Sequence, residues 1–129
     1  MTTISDEDFD AVISQSLNEL PSQYVDNMKN VAIVIADDPT DEQRQKLNLR
    51  CNESLFGLYE GIPLTQRGAG YNLVLPDKIT IFKNPIFMHT FDLESFKKQV
   101  KHTLWHEIAH HYGLNHSRIH EIERTRFKD

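Results

Sequence analysis

Cysteine is nearly absent: Cys51 is the single thiol in 129 residues, so no internal disulfide can form, and it lies far upstream of the histidine cluster described below, which sets it aside as a ligand. Long apolar runs are missing too. None approaches the roughly 20 residues of a membrane span. Residues 1–10 are acidic where a secretion leader needs a basic start and an apolar core, so the expected location is cytoplasmic. Basic residues are outnumbered, 14 Lys and Arg against 19 Asp and Glu, for a formal net charge of −5. A nucleic-acid surface draws on clustered Lys and Arg, and the one basic cluster, Lys97, Lys98 and Lys101, falls on a predicted helix and reads as its solvated face. There are no repeats, low-complexity segments or linker-like tracts. With 39% hydrophobic and 26% charged residues, the expectation is one soluble domain over residues 1–129.

What is present begins with a helix start at Ser5, followed by Asp6, Glu7 and Asp8, with Phe9, Val12, Ile13, Leu17 and Leu20 at helical spacing before Pro21. Tyr24, Val25 and Met28 suggest another helical turn or two, and VAIVIA, residues 31–36, is a β-branched run of strand length. Thr40 with Gln43 fits a capping box for a helix through Arg50 or beyond. Residues 58–72, LYEGIPLTQRGAGYN, read as a long irregular loop, and residues 78–83, KITIFK, as a strand with one exposed face. Asp92 is a candidate N-cap for a helix whose stripe Leu93, Phe96, Val100, Leu104 and Ile108 faces the core. Residues 117–129 carry Ile119, Ile122 and Phe127 among charges, as in a short surface-packed helix.

The informative window lies on and just beyond the long helix: HEIAHHYGLNH, an HExxHxxGxxH pattern. Residues four apart on a helix lie nearly one above the other, so His106 and His110 can offer two imidazoles to one zinc ion while Glu107 handles a proton. With this composition HExxH alone arises by chance about 3 times in 100, and the extension to Gly113 and His116 lowers that to about 5 in 100,000. Gly113 can enter the left-handed conformation that ends a helix, so the chain can turn back and place His116 as third ligand. Three protein ligands leave a fourth position for water, the arrangement of a catalytic zinc. Imidazoles also suit iron, nickel or cobalt. Glu107 falls close to the apolar stripe, where a carboxylate needs either a buried Lys or Arg or a catalytic role.

Of the other histidines, His102 reads as solvated or as an outer contact to the site, His111 as a satisfied core histidine, and His89 and His120 have no spacing that assigns them. Tyr59, Tyr71, Arg67, His111 and Tyr112 are all chemically able to stabilise an oxyanion, and the residues do not choose among them.

The first helix leading into NVAIVIADDP, the segment LFGLYEGIPLTQRGAGYNLVLPDKITIFKNPI and the site QVKHTLWHEIAHHYGLNH together resemble the small bacterial zincin-like metallopeptidases. That resemblance implies an α+β class: a minimal fold with a few-stranded sheet packed against helices and the HExxH helix near the C-terminus. It further implies His106 and His110 as Zn2+ ligands, His116 at the third-ligand position and Glu107 as general base. The third position in that family is often Asp. A His there makes the motif look like that of the metzincins, but those carry a methionine turn downstream, and here Met1, Met28 and Met88 all precede the motif.

The expected function is zinc-dependent hydrolysis of peptide bonds through a zinc-bound water, on a peptide or protein substrate, with no nucleic-acid or membrane partner. Residues 79–82 are expected to pair edge-on with an extended substrate, the 58–72 loop lying near the same cleft. Two alternatives stand beside this reading. One is a non-catalytic zinc-binding regulatory module. The other is a three-histidine metal-dependent endoribonuclease like those of ribosomal-RNA maturation, which share the histidine offsets but have a glycine where this chain has Glu107.

Overall fold

Each principal helix starts where a side chain can take up an orphan backbone N–H. The computed structural model describes residues 4–28, 30–50, 56–66 and 76–126. Ser5 accepts from Asp8 N–H at 3.1 Å and opens α1 (Asp6–Glu19), whose first turn carries three acids against the helix dipole. A one-turn α2 (Ser22–Val25) leads to β1 (Val31–Ala36). Thr40 and Gln43 form the expected reciprocal cap at 3.0 and 3.1 Å at the head of α3 (Asp41–Arg50). After β2 (Gly57–Glu60) and a single 3-10 turn at Leu64–Gln66 come β3 (Asp77–Phe82), α4 (Lys83–Met88), the long α5 (Leu93–Tyr112) and α6 (His116–Arg126). Cys51 lies outside the described residues, as do Arg67, Tyr71 and the glycines Gly68 and Gly70.

Two readings of the middle of the chain are corrected. Residues 58–60 are not loop but strand, part of β2, and β3 has no free edge: the sheet order is β1-β3-β2, with β1 parallel and β2 antiparallel to the central β3. Edge pairing of a substrate with residues 79–82 is therefore ruled out. Nor does β3 expose a face. Only Lys78 is exposed, because Ile79 and Ile81 enter the main core while Phe82 joins Leu58 and Ala36 in a smaller cluster on the opposite face. Alternation reports which face a residue takes. It does not report which strands flank it, since those partners come from distant parts of the chain.

The main core gathers Phe9, Val12 and Ile13 of α1, Ile79 and Ile81 of β3, and Phe96, Val100, Leu104 and Ile108 of α5. Phe9 meets Phe96 edge-on with ring centroids 5.7 Å apart. The stripe on α5 holds as expected except at its first member: Leu93 is 46% exposed. On the far side of α5, Tyr24 packs against Trp105 and Tyr112. Lys83 joins the head of α1 to the end of β1 through Asp6 at 3.1 Å and Asp37 at 3.3 Å. No helix among the described residues is long and apolar enough to cross a membrane. The architecture is the expected α+β class, helices packed on a three-stranded mixed sheet.

Asp92 starts α5 in a reciprocal cap: its carboxylate accepts from Ser95 N–H at 2.8 Å, and the Ser95 hydroxyl accepts from Asp92 N–H at 3.1 Å. The Ser95 backbone N–H, and then its side chain, hold the Asp92 carboxyl below its ordinary value. A depressed folded value contributes stability that is present above the unfolded pKa of about 3.9 and lost as pH falls through the folded value. Asp92→Ala is thus expected to lower the melting temperature at neutral pH, with the gap to the parent closing on acidification. Melts across that range check it, and a gap independent of pH would contradict it.

Candidate metal centre

On α5, His106 and His110 stand one turn apart, and their Nε2 atoms lie 3.1 Å from each other. His106 is buried, His110 half-buried and His116 exposed, so the cluster opens to solvent on the His116 side. Bringing His116 across depends on the break after Tyr112. Gly113 takes φ 78° and ψ 21°, and Leu114 N–H donates to Ala109 O at 3.1 Å, the closing bond of a Schellman turn. Asn115 then accepts from Arg118 N–H at 2.8 Å and caps α6. His116 is the first residue of that helix, one residue earlier than the sequence suggested; Asn115 is the cap signal that could have located the start. Ile119 and Ile122 bury the inner face of α6.

The result is one nitrogen from each of His106, His110 and His116 within 4.8 Å of the others. Two nitrogens bound to the same tetrahedral zinc at about 2.0–2.1 Å stand about 3.4 Å apart, so the His106–His110 spacing already suits a single ion. The donor set, three imidazoles and no thiolate, fits zinc.

A sequence model of the zincin-like metallopeptidase family matches residues 28–126. The chain belongs to that family. No curated protein matches it. Within this member of the family, Glu107 is 4% exposed and stays out of the histidine trio, because one residue along a helix is a rotation of about 100°. It turns toward β2. Gly57 comes so close to α5 that a Cβ there would stand 2.6 Å from Thr103 Cγ2 and 3.3 Å from Glu107 Cγ, so only glycine lets the strand lie against the helix at that level.

The remaining candidates are distributed differently. His102 on α5 pairs with Glu123 of α6 at 3.7 Å and so fastens the two helices, while His120 meets the same carboxylate at 3.3 Å from within α6. His89 bonds Pro85 O at 2.8 Å. Among the oxyanion candidates, Tyr59 and His111 are buried and both engage Asp77, at 2.5 and 3.0 Å. Tyr112 donates to Tyr24 O at 2.6 Å, with burial raising its hydroxyl pKa above the ordinary tyrosine value.

Gly113→Ala should be costly. The left-handed backbone disfavours a side chain by about 1–2 kcal/mol, and the added Cβ would stand 2.0 Å from Thr65 Oγ1. The expected outcome is a lower melting temperature together with weaker zinc affinity, since the turn sets where His116 arrives. Wild-type zinc affinity in a destabilised variant would detach the turn from the site.

Proposed function

We propose that this protein is a zinc-dependent metallopeptidase, with Zn2+ on His106, His110 and His116 and with Glu107 as the general base in hydrolysis of a peptide bond. The observation that carries the reading is the separation of roles on one helix. Three imidazoles converge, and the adjacent carboxylate is held apart from them, buried against the strand that runs beside the helix. A zinc ion there would supply Lewis acidity, activating water near neutral pH and polarising the scissile carbonyl. Glu107 takes the proton from the attacking water and delivers it to the leaving amine.

The strand proposed to meet an extended substrate is β2, the edge strand that lies beside Glu107, and not the central β3. Phe82 N–H donates to Phe56 O at 2.8 Å, so by antiparallel alternation the even-numbered residues of β2 bond β3 while the backbone groups of Gly57 and Tyr59 point outward. Gly57 stands beside Glu107. A peptide adding as a strand there would gain main-chain hydrogen bonds without demanding particular side chains. The preferred partner is accordingly a peptide or unstructured protein segment.

The test is elemental analysis of purified protein followed by digestion of a broad peptide library, with chelated and zinc-restored samples alongside. Cleavage that disappears on chelation and returns with zinc is expected. Full zinc occupancy with no cleavage of any peptide would favour the non-catalytic module instead.

A further inference from the structure

Asp77, the first residue of β3, is a carboxylate only 3% exposed, and no part of the hydrolytic chemistry uses it. Its Oδ2 accepts two hydrogen bonds, from the Tyr59 hydroxyl at 2.5 Å and from His111 Nδ1 at 3.0 Å. Tyr59 lies on β2 and is 2% exposed; His111 is wholly buried and directly follows His110 on the last turn of α5. The two rings meet edge-on at 5.9 Å. One oxygen thus joins the central strand, the edge strand and the turn of α5 that carries a metal-site histidine.

We propose that Asp77 is a positioning residue: it holds the His110 turn of α5 in rotational register with β2, so that the zinc site and the substrate strand face one another. This rests on the peptidase reading for the role of β2, while the effect on the metal site stands apart from it. Stability alone does not account for the trio, because an apolar group of similar volume packs a core at least as well as a buried ionisable cluster. What two hydrogen bonds to one oxygen add is direction. They fix both the distance and the rotation of a helix turn, and helix rotation matters here because each residue sweeps about 100° around the axis.

The test compares Asp77→Ala, Asp77→Asn and Tyr59→Phe by zinc affinity, by the visible spectrum of the cobalt-substituted protein and by amide exchange of the metal-free protein. Asp77→Ala is expected to lower zinc affinity about tenfold, the lower end of what loss of a direct hydrogen-bond partner of a ligand costs, because Asp77 reaches the His110 turn only through the neighbouring His111, and to alter the cobalt spectrum. It should also expose the amides of Leu58 and of residues 110–112 together, relative to those of β3. Asp77→Asn restores all three readouts, since one amide oxygen can take both donors. Tyr59→Phe removes one hydroxyl and no packing; it keeps zinc affinity within about twofold, speeds exchange at Leu58 and raises KM more than it lowers kcat. A folded Asp77→Ala protein with parental zinc affinity and cobalt spectrum, however much less stable, would overturn the proposal. Should Asp77→Ala not fold, unchanged exchange at Leu58 in Tyr59→Phe would overturn it equally. Zinc affinity, spectrum and exchange need no peptide, so failure of the peptidase reading shows separately, as absent turnover in the parent.

Discussion

Glu107→Gln should leave the protein folded and zinc-loaded while kcat falls about 10²- to 10⁴-fold, the range that general-base catalysis supplies. Glutamine preserves the volume of a side chain that is 4% exposed between α5 and β2, so packing around Thr103 and Gly57 survives. What it removes is a group able to accept and return a proton. Because Glu107 stands outside the histidine trio, the zinc content at saturation should equal that of the parent. Steady-state kinetics on any peptide found to be cleaved, at measured full zinc occupancy, decide the matter. Parental turnover in the loaded variant would remove the general-base role. Loss of zinc in step with activity would move Glu107 into the coordination sphere.

The second large effect is on metal binding. Zinc held by four ligands is worth about 10–16 kcal/mol in small domains, about 3 kcal/mol for each ligand, so His116→Ala should weaken affinity a hundredfold or more. His116 is exposed at the first position of α6, and the helix is anchored by Ile119 and Ile122, so the metal-free variant should melt where the metal-free parent does. His106→Ala should differ. It removes an equal share of the metal binding, and because His106 is buried it should also lower the stability of the metal-free fold. For the parent, zinc at 100 times its dissociation constant adds about 2.7 kcal/mol of stability that chelation removes. Competition titrations with a chromophoric chelator, paired with melts of metal-free proteins, separate the two variants. A His116→Ala protein with near-parental affinity would reduce the centre to two imidazoles.

Much of the helical framework was legible because its signals are local. Ser5, Thr40 with Gln43, and Asp92 each reach an N–H three residues away, a distance set by the helix itself, and the stripe from Phe96 to Ile108 needs only helical periodicity. The sheet was legible only as strands. VAIVIA reads as β1, but GLYE, four residues long, opening on one glycine and followed by another, reads as loop, and only β3 supplies its hydrogen bonds. For the same reason the alternation in residues 78–83 points to β3 as the substrate strand. Asp77 carried no signal at all, since a lone acid next to a proline reads as a turn residue, and its partners lie 18 and 34 positions away.

By itself the sequence determined the chemistry available: a helix presenting two imidazoles one turn apart with a carboxylate beside them, a glycine able to end it, and a third histidine within reach of the return. Those are properties of helix geometry and side-chain type, and both are written in adjacent residues. Tertiary structure decided that β3 is flanked on both sides, that Gly57 brings β2 against Glu107, and that Asp77 ties strand and helix together. These depend on pairings between segments far apart in the chain. Such pairings are settled by the competition of whole faces for burial and of whole edges for hydrogen bonds, and no local pattern records the outcome.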